Sequence, residues 1–496
     1  MHNSPFGSKI RSAFAALHFS TLLALLGTAI AFANVWLGAV IAMTAVWKHT
    51  REQADLSPKR YWILLPVAVT CVTWSLGGGL PTDDLLRHIL AWKLDYNYST
   101  QYPWSDIPTV NYWLGFDMTL GWLQTAMYAS PKALLYGVPI AFYLMGAAVL
   151  CASLKKAAPE APTWLFLSLS ALGLILIAPR MLLGRPEALI TLVAACAWLV
   201  DSRKRAGLWL GAMLALIPFY WLGWVYAPFV LLIARPLREK VLIGAVFVGL
   251  HLAFWQYYTG DYIGQLIWLQ GTMWQPANEN LPLAYAAGMA GGMAFLILLS
   301  WSLSHLPWHT LRKDPLIEQS YSVLNFGRAA FIPGISVLLL VVWLAIPNQI
   351  RYHAAIVFVL MPWLLQRLTR QATRVKFAPP ALLLLCALAF SGLYQVPVSP
   401  SAPKFALESG AKVWSQSPFA TVFFAKGPLQ VEPSFAFGST LKAWRGIENE
   451  LMAQNCDLLQ KAGFTYLIER TLPKRVDCLE LKEIDGEWRL WQLRAP

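Results

Sequence analysis

Apolar runs separated by short basic turns set the rhythm of this chain. Lys9 and Arg11 precede an apolar stretch, residues 12–47, with a turn near Asn34, and Lys48, Arg51, Lys59 and Arg60 follow it. Basic residues at both ends predict a helical hairpin. No cleavage-type exit into a soluble chain follows, so the hairpin reads as retained rather than as a signal peptide. Further runs occupy 61–79, 133–153, 163–178, 186–200, 207–234 (broken near Pro218), 241–258, 284–304, 331–346, 352–365 and 381–394. A helix of about 20 apolar residues crosses a hydrocarbon core, so this pattern predicts about 13 transmembrane helices.

The polar breaks between runs then orient the expected helices. Outside the C-terminal segment, about 21 Lys and Arg fall on one side of the predicted topology and about 6 on the other, the bias of cytoplasmic loops. The expectation is a multi-pass protein of a bacterial inner membrane, with its N-terminus cytoplasmic and a large outer loop at 80–132. From about Val396 the runs give way to mixed charge and to alternating stretches around Thr465-Tyr466-Leu467-Ile468 and Trp488-Arg489-Leu490-Trp491, with a turn at Asp485-Gly486. Pro397, Pro400 and Pro403 supply a linker. Residues 1–395 thus read as a membrane unit, and 396–496 as a small periplasmic α/β domain.

Composition agrees with this pattern and narrows the class. Of 496 residues, 57 % are hydrophobic and 13 % charged, about half the charged share of a soluble domain. Mean hydropathy is +0.49. A polytopic membrane protein is expected rather than a water-soluble globular enzyme. Lys and Arg number 39 against 26 Asp and Glu, a formal charge of +13. Topology explains that excess, because no long basic stretch within a soluble fold is present to bind nucleic acid. The 24 Trp, 18 Tyr and 24 Phe suit interfacial belts and a packed bundle.

Cys71, Cys151, Cys196 and Cys386 lie in apolar runs, where a thiol is a small hydrophobe. Cys456 and Cys478 share the C-terminal domain, and in an oxidising compartment they form a disulfide. No Cys or His cluster has zinc-site spacing. Gly77-Gly78-Gly79 lacks the continuation of a phosphate-binding loop.

Four groups place costly polar residues at the predicted outer boundary. The first is Pro81-Thr82-Asp83-Asp84-Leu85-Leu86-Arg87-His88. A helix starting there puts both carboxylates at its positive end, as a cap or as a base beside Arg87 and His88. The second runs from Asp106-Ile107-Pro108 through Asn111-Tyr112-Trp113-Leu114 to Asp117, and also suits an interfacial anchor. The third, Arg180 to Arg185-Pro186-Glu187, joins two arginines to an acid that opens an apolar run. Snorkelling accounts for the arginines, whereas the glutamate must be wet, paired or lining a cavity. The fourth is Asn348-Gln349-Ile350-Arg351-Tyr352-His353, whose Arg351 has no acid nearby in sequence. The shared sidedness of the four suggests one site.

In these residues the chain resembles the GT-C superfamily of polyprenyl-phosphate-dependent glycosyltransferases, in particular the branch of protein O-mannosyltransferases and lipid A aminoarabinose transferases. Asp83-Asp84 stands where that branch carries an acidic pair in its first large outer loop. Residues 107–114 look like its Pro-rich turn before Tyr-Trp-Leu. Arg180 with Glu187 is similar to its Arg followed by an acid, and Arg351-Tyr352 with Pro362 to its Arg-Tyr before a Pro-containing span. The departures are Asp84 in place of Glu, Asp106-Ile107 where a Lys is usual, and the extra N-terminal hairpin.

The resemblance implies a GT-C-like bundle that transfers one sugar from a polyprenyl-phosphate donor to a lipid, glycan or protein acceptor. Asp83 would be the base, oriented by Asp84 or Glu187. Arg87, His88, Arg180, Arg185, Arg351 and His353 are candidates to hold the departing phosphate. Asp106, Asn111, Tyr112, Trp113, Tyr352, Trp274 and Gln275 would line the substrate. The loop 262–280 that carries the last two equally suits an interfacial helix. A divalent Mg or Mn beside Asp83 and Asp84 is an option, and the cationic candidates favour the branch in which basic residues do that work. The C-terminal domain either binds acceptor or braces the bundle. The alternative function is a transporter or flippase of lipid-linked sugars, which would carry ionisable groups near mid-membrane and internal repeats. A scaffold without chemistry is the third option.

Overall fold

The computed structural model describes residues 64–76, 85–94, 111–264, 266, 353–371, 405, 407–408, 411, 413–414, 455–461, 463–469, 476–486 and 488–494. Helices α1 (Leu65–Leu76), α2 (Leu85–Leu90) and α3 (Leu114–Thr125) come first, and a 3-10 turn, Ala91–Leu94, extends α2. The long α4 (Pro131–Ala157) follows. It starts sharply because Pro131 fits the first helical position and the Ser130 hydroxyl caps Ala133 N at 3.1 Å. Helix α5 (Thr163–Met181) returns beside it and is buried almost throughout, packed by α1, α4 and α9 (His353–Gln371). Pro186 opens α6 (Pro186–Ala195), which tightens into a 3-10 turn at Cys196–Leu199.

Next come α7 (Arg203–Ala215), 3-10 helices at Ile217–Phe219 and Gly223–Leu232, and α8 (Leu237–Thr259), which Gly260 ends in a left-handed conformation at φ 77°. Trp side chains stitch these elements together. Trp209 Nε1 donates to Val193 O at 2.9 Å, Trp255 Nε1 to Ile217 O at 3.1 Å, and Trp198 Nε1 to Phe358 O of α9 at 3.0 Å.

The structure overturns the bundle of about 13 spans expected from the 20-residue criterion. Among the described residues, two helices are long and apolar enough to cross a membrane: α4, with 27 residues, and α8, with 23. Of the run 61–79, the described residues contribute α1, Leu65–Leu76. In the run 207–234, Pro218 and Pro228 each remove one helical hydrogen-bond donor, and the chain there forms 3-10 helices instead of two spans. The run 186–200 likewise yields 10 α-helical residues before it tightens. An apolar run therefore did not translate into a membrane-long helix where a 3-10 segment interrupted it, whereas α4 continues through Pro139. The hairpin 12–47 and the runs 284–304, 331–346 and 381–394 lie outside the described residues.

The C-terminal part contains α10 (Asp457–Lys461) and strands β1 (Val413–Trp414), β2 (Tyr466–Glu469), β3 (Leu479–Asp485) and β4 (Trp488–Leu493), in the sheet order β1-β2-β4-β3. The first pair is parallel and the others antiparallel. Gly486, at φ 59°, lies in the β3–β4 turn, where a left-handed residue matches the strand twist. Cys456 and Cys478 are joined by a disulfide, Sγ–Sγ 1.98 Å, which ties the start of α10 to the start of β3.

Candidate functional site

Two buried charged clusters distinguish the helical part. The first joins the helices on either side of residues 95–110. His88, on α2, lies with Nδ1 2.6 Å from Asp117 Oδ1, in the first turn of α3. Asn111 Nδ2 donates to the other oxygen, Oδ2, at 2.9 Å, while Asn111 Oδ1 accepts from Trp113 N at 2.9 Å. A carboxylate accepts only, so an ionised Asp117 requires the imidazole proton on Nδ1. That leaves Nε2 as the ring nitrogen available to another partner. Trp113 and Phe116 close over the ring edge-on, with centroids 5.5 and 5.2 Å away. Burial of His88, Asn111 and Asp117 makes this network expensive to disrupt.

The second cluster occupies the turn between α5 and α6. Arg180, in the last turn of α5, donates through NH2 to Glu187 Oε1 at 2.6 Å, with both side chains less than a tenth exposed. Arg180 Nε has no hydrogen-bond partner among the described residues. Arg185, also buried, precedes Pro186 on the same turn. The turn closes through Gly184 N to Met181 O at 3.2 Å and Ala188 N to Arg185 O at 3.0 Å. Gly184 is left-handed, at φ 66°, and a Cβ there would stand 2.7 Å from Leu85 Cδ2 and 3.0 Å from Pro139 Cγ. Glycine thus lets the cationic turn press on the first residue of α2.

A polar thread leaves this turn. Thr191 Oγ1 donates to Glu187 O at 2.7 Å and pairs with the Tyr226 hydroxyl at 3.0 Å. Arg180, Glu187 and Tyr220 lie within electrostatic reach of Tyr226, and Tyr220 and Tyr112 within reach of Tyr262. Tyr112 stacks on Trp255, with centroids 5.9 Å apart, and meets Trp221 edge-on at 5.4 Å. The Trp221 carbonyl accepts from Tyr262 OH and, at 2.9 Å, from His251 Nε2. An aromatic layer around the 3-10 segments therefore connects the start of α3, the end of α8 and α6.

Among the predicted site residues, the structure brings together His88, Asn111 and Trp113, and separately Arg180, Arg185 and Glu187. Tyr112 belongs to the aromatic layer. Arg87 lies on α2 and His353 opens α9. Asp83, Asp84, Asp106, Trp274, Gln275, Arg351 and Tyr352 lie outside the described residues. The resemblance assigns Asp117 no role, although it is a charge inside the apolar segment Leu114–Thr125. Trp221, Tyr226 and His251 gave no signal, since an aromatic in an apolar run reads as core. Among the described residues, no group of three or more His, Cys, Asp or Glu could hold a metal. No protein-family model matches the chain, and no curated protein matches it at a significant level.

Proposed function

We propose that this protein is a membrane-bound glycosyltransferase that moves one sugar from a polyprenyl-phosphate donor to an acceptor on the outer face of a bacterial inner membrane. The observation that carries the reading is the buried Arg180–Glu187 pair on a turn pressed against Leu85, the residue that follows Asp83-Asp84 in sequence. Buried cations on that turn, and an acid pair in the sequence just ahead of Leu85, would meet the two demands of the reaction. As the acceptor attacks the anomeric carbon, its proton passes to Asp83. The bond from that carbon to the phosphate oxygen breaks, and the polyprenyl phosphate leaves with charge that preplaced arginines stabilise.

Membrane residence is supported by what α4 and α8 leave uncovered. Only 39 % of the apolar stretch of α4 and 17 % of that of α8 is buried. Leu237, Val241 and Leu242 are each more than 60 % exposed. In water such a face costs about 25 cal/mol per Å² of apolar surface, a cost that surrounding lipid removes. The Cys456–Cys478 disulfide supports an oxidising compartment for the C-terminal part.

The test is transfer of radiolabel from polyprenyl-phosphate sugars, with purified protein and membrane extract as acceptor source. Asp83→Asn should lower the rate by about 10²–10⁴, the usual contribution of a positioned base. An unchanged rate removes Asp83 from the mechanism, and no transfer from any donor favours transport. Alkaline carbonate should leave the protein in the membrane pellet; release into the supernatant overturns membrane residence.

A further inference from the structure

The end of the helical part that carries Lys156 and Arg203 holds charge in a specific arrangement. Asp201 receives Lys156 Nζ at 2.9 Å and Arg205 NH1 at 3.1 Å, joining the last turn of α4 to the start of α7. Two residues on, Arg203 reaches Glu239 Oε1 at 3.0 Å, and Arg235 grips the same carboxylate through Nε at 2.6 Å and NH2 at 2.8 Å. Each carboxylate is thus shared by two cations, and each triad keeps one positive charge in excess. Lys204 and Arg238 are exposed beside them. Glu160, exposed in the turn after α4, is the further carboxylate here among the described residues.

These cations are followed along each helix by exposed apolar residues. Leu237 (65 % exposed), Val241 and Leu242 begin the uncovered face of α8 within one turn of Arg238, and Leu208, also 65 % exposed, lies one turn beyond Lys204 on α7. Lys240 marks the boundary: it is buried and extends Nζ to Leu231 O at 2.7 Å. Cations held at fixed spacing, immediately above a surface suited to acyl chains, match a lipid that carries a phosphate and no compensating ammonium.

We propose that the Asp201 and Glu239 triads, with Lys204 and Arg238, form a binding site for anionic glycerophospholipid headgroups. The inference rests on the membrane residence argued above but not on sugar transfer. The triads hold their guanidinium groups in place before a lipid arrives, which lowers the ordering cost of binding. Because Lys204 and Arg238 have no part in the triads, they can be changed without opening the ion pairs.

The experiment presents the full-length protein in mixed micelles with equal amounts of phosphatidylglycerol and phosphatidylcholine, and native mass spectrometry counts the lipids retained. Wild type should favour phosphatidylglycerol, and Lys204→Gln with Arg238→Gln should reduce that preference by at least about fivefold, the factor expected per cation at a lipid surface. Lys132→Gln, an exposed lysine at the opposite end of α4, should leave it unchanged. Equal retention of the two lipids by wild type, an unaltered preference in the double variant, or an equal effect of Lys132→Gln would each overturn the site. Release by carbonate would instead defeat the membrane reading, so the two failures are distinguishable.

Discussion

Arg180 and Glu187 show what burial demands of a charge. Both side chains are buried, and their separation of seven residues brings them together only because α5 ends and α6 begins between them. Removing one partner leaves the other charged and dry, which costs about 3–5 kcal/mol. Glu187→Gln should therefore lower the unfolding free energy in detergent by that amount. A double change, Arg180→Met with Glu187→Leu, should recover most of it while abolishing the proposed sugar transfer. Equal destabilisation by the single and double changes would show that the pair is not coupled. Asp117 is likewise buried with its partners: one oxygen faces His88 Nδ1, and Asn111 donates to the other.

Between elements, short polar clasps determine how the helices meet. Asp201 joins α4 to α7, and the hydrogen bond from Lys156, followed by the charge of Arg205, draws its carboxyl below the ordinary value. A lowered folded-state value means that the clasp contributes fully above the ordinary carboxylate range and is lost as pH falls through the lowered one. Asp201→Asn should therefore lower Tm at neutral pH, and the gap to wild type should close as acid protonates Asp201. A gap of constant size from neutral to strongly acidic pH would show that the carboxylate charge is not involved. At the opposite end of α4, Gly184 plays the corresponding part without charge, by its left-handed turn and its missing Cβ.

At the scale of the molecule, the C-terminal sheet is small and has one covalent tie. The Cys456–Cys478 bond closes a loop of 22 residues, for which restriction of the unfolded chain contributes about 3 kcal/mol. Cys456→Ser in the full chain should release the tie and make the segment 455–494 the first cleaved by protease. Protection identical to wild type would show that the sheet does not depend on it. The strands themselves were legible, since Tyr466–Glu469 and Trp488–Leu493 lie where alternating apolar residues and the Asp485-Gly486 turn put them. The helices were legible in position more than in extent. Val241 to Tyr258 falls inside the long α8, whereas the equally apolar 207–234 breaks at its prolines into turns.

The amino-acid sequence by itself determined the apolar and basic rhythm, the Cys456–Cys478 candidate pair and the identity of the polar residues too costly to bury alone. Those properties are local, set by side-chain chemistry and spacing along the chain. Only the tertiary structure decided the long-range partners: Asp117 for the buried His88 across 29 positions, and, at the surface, Asp201 for Lys156 across 45. It also decided where an apolar run stays helical long enough to cross a bilayer. Pairing over such distances depends on how helices pack against one another, and helix length depends on hydrogen bonds that a single proline or a neighbouring aromatic layer can redirect, so neither follows from hydropathy read one residue at a time.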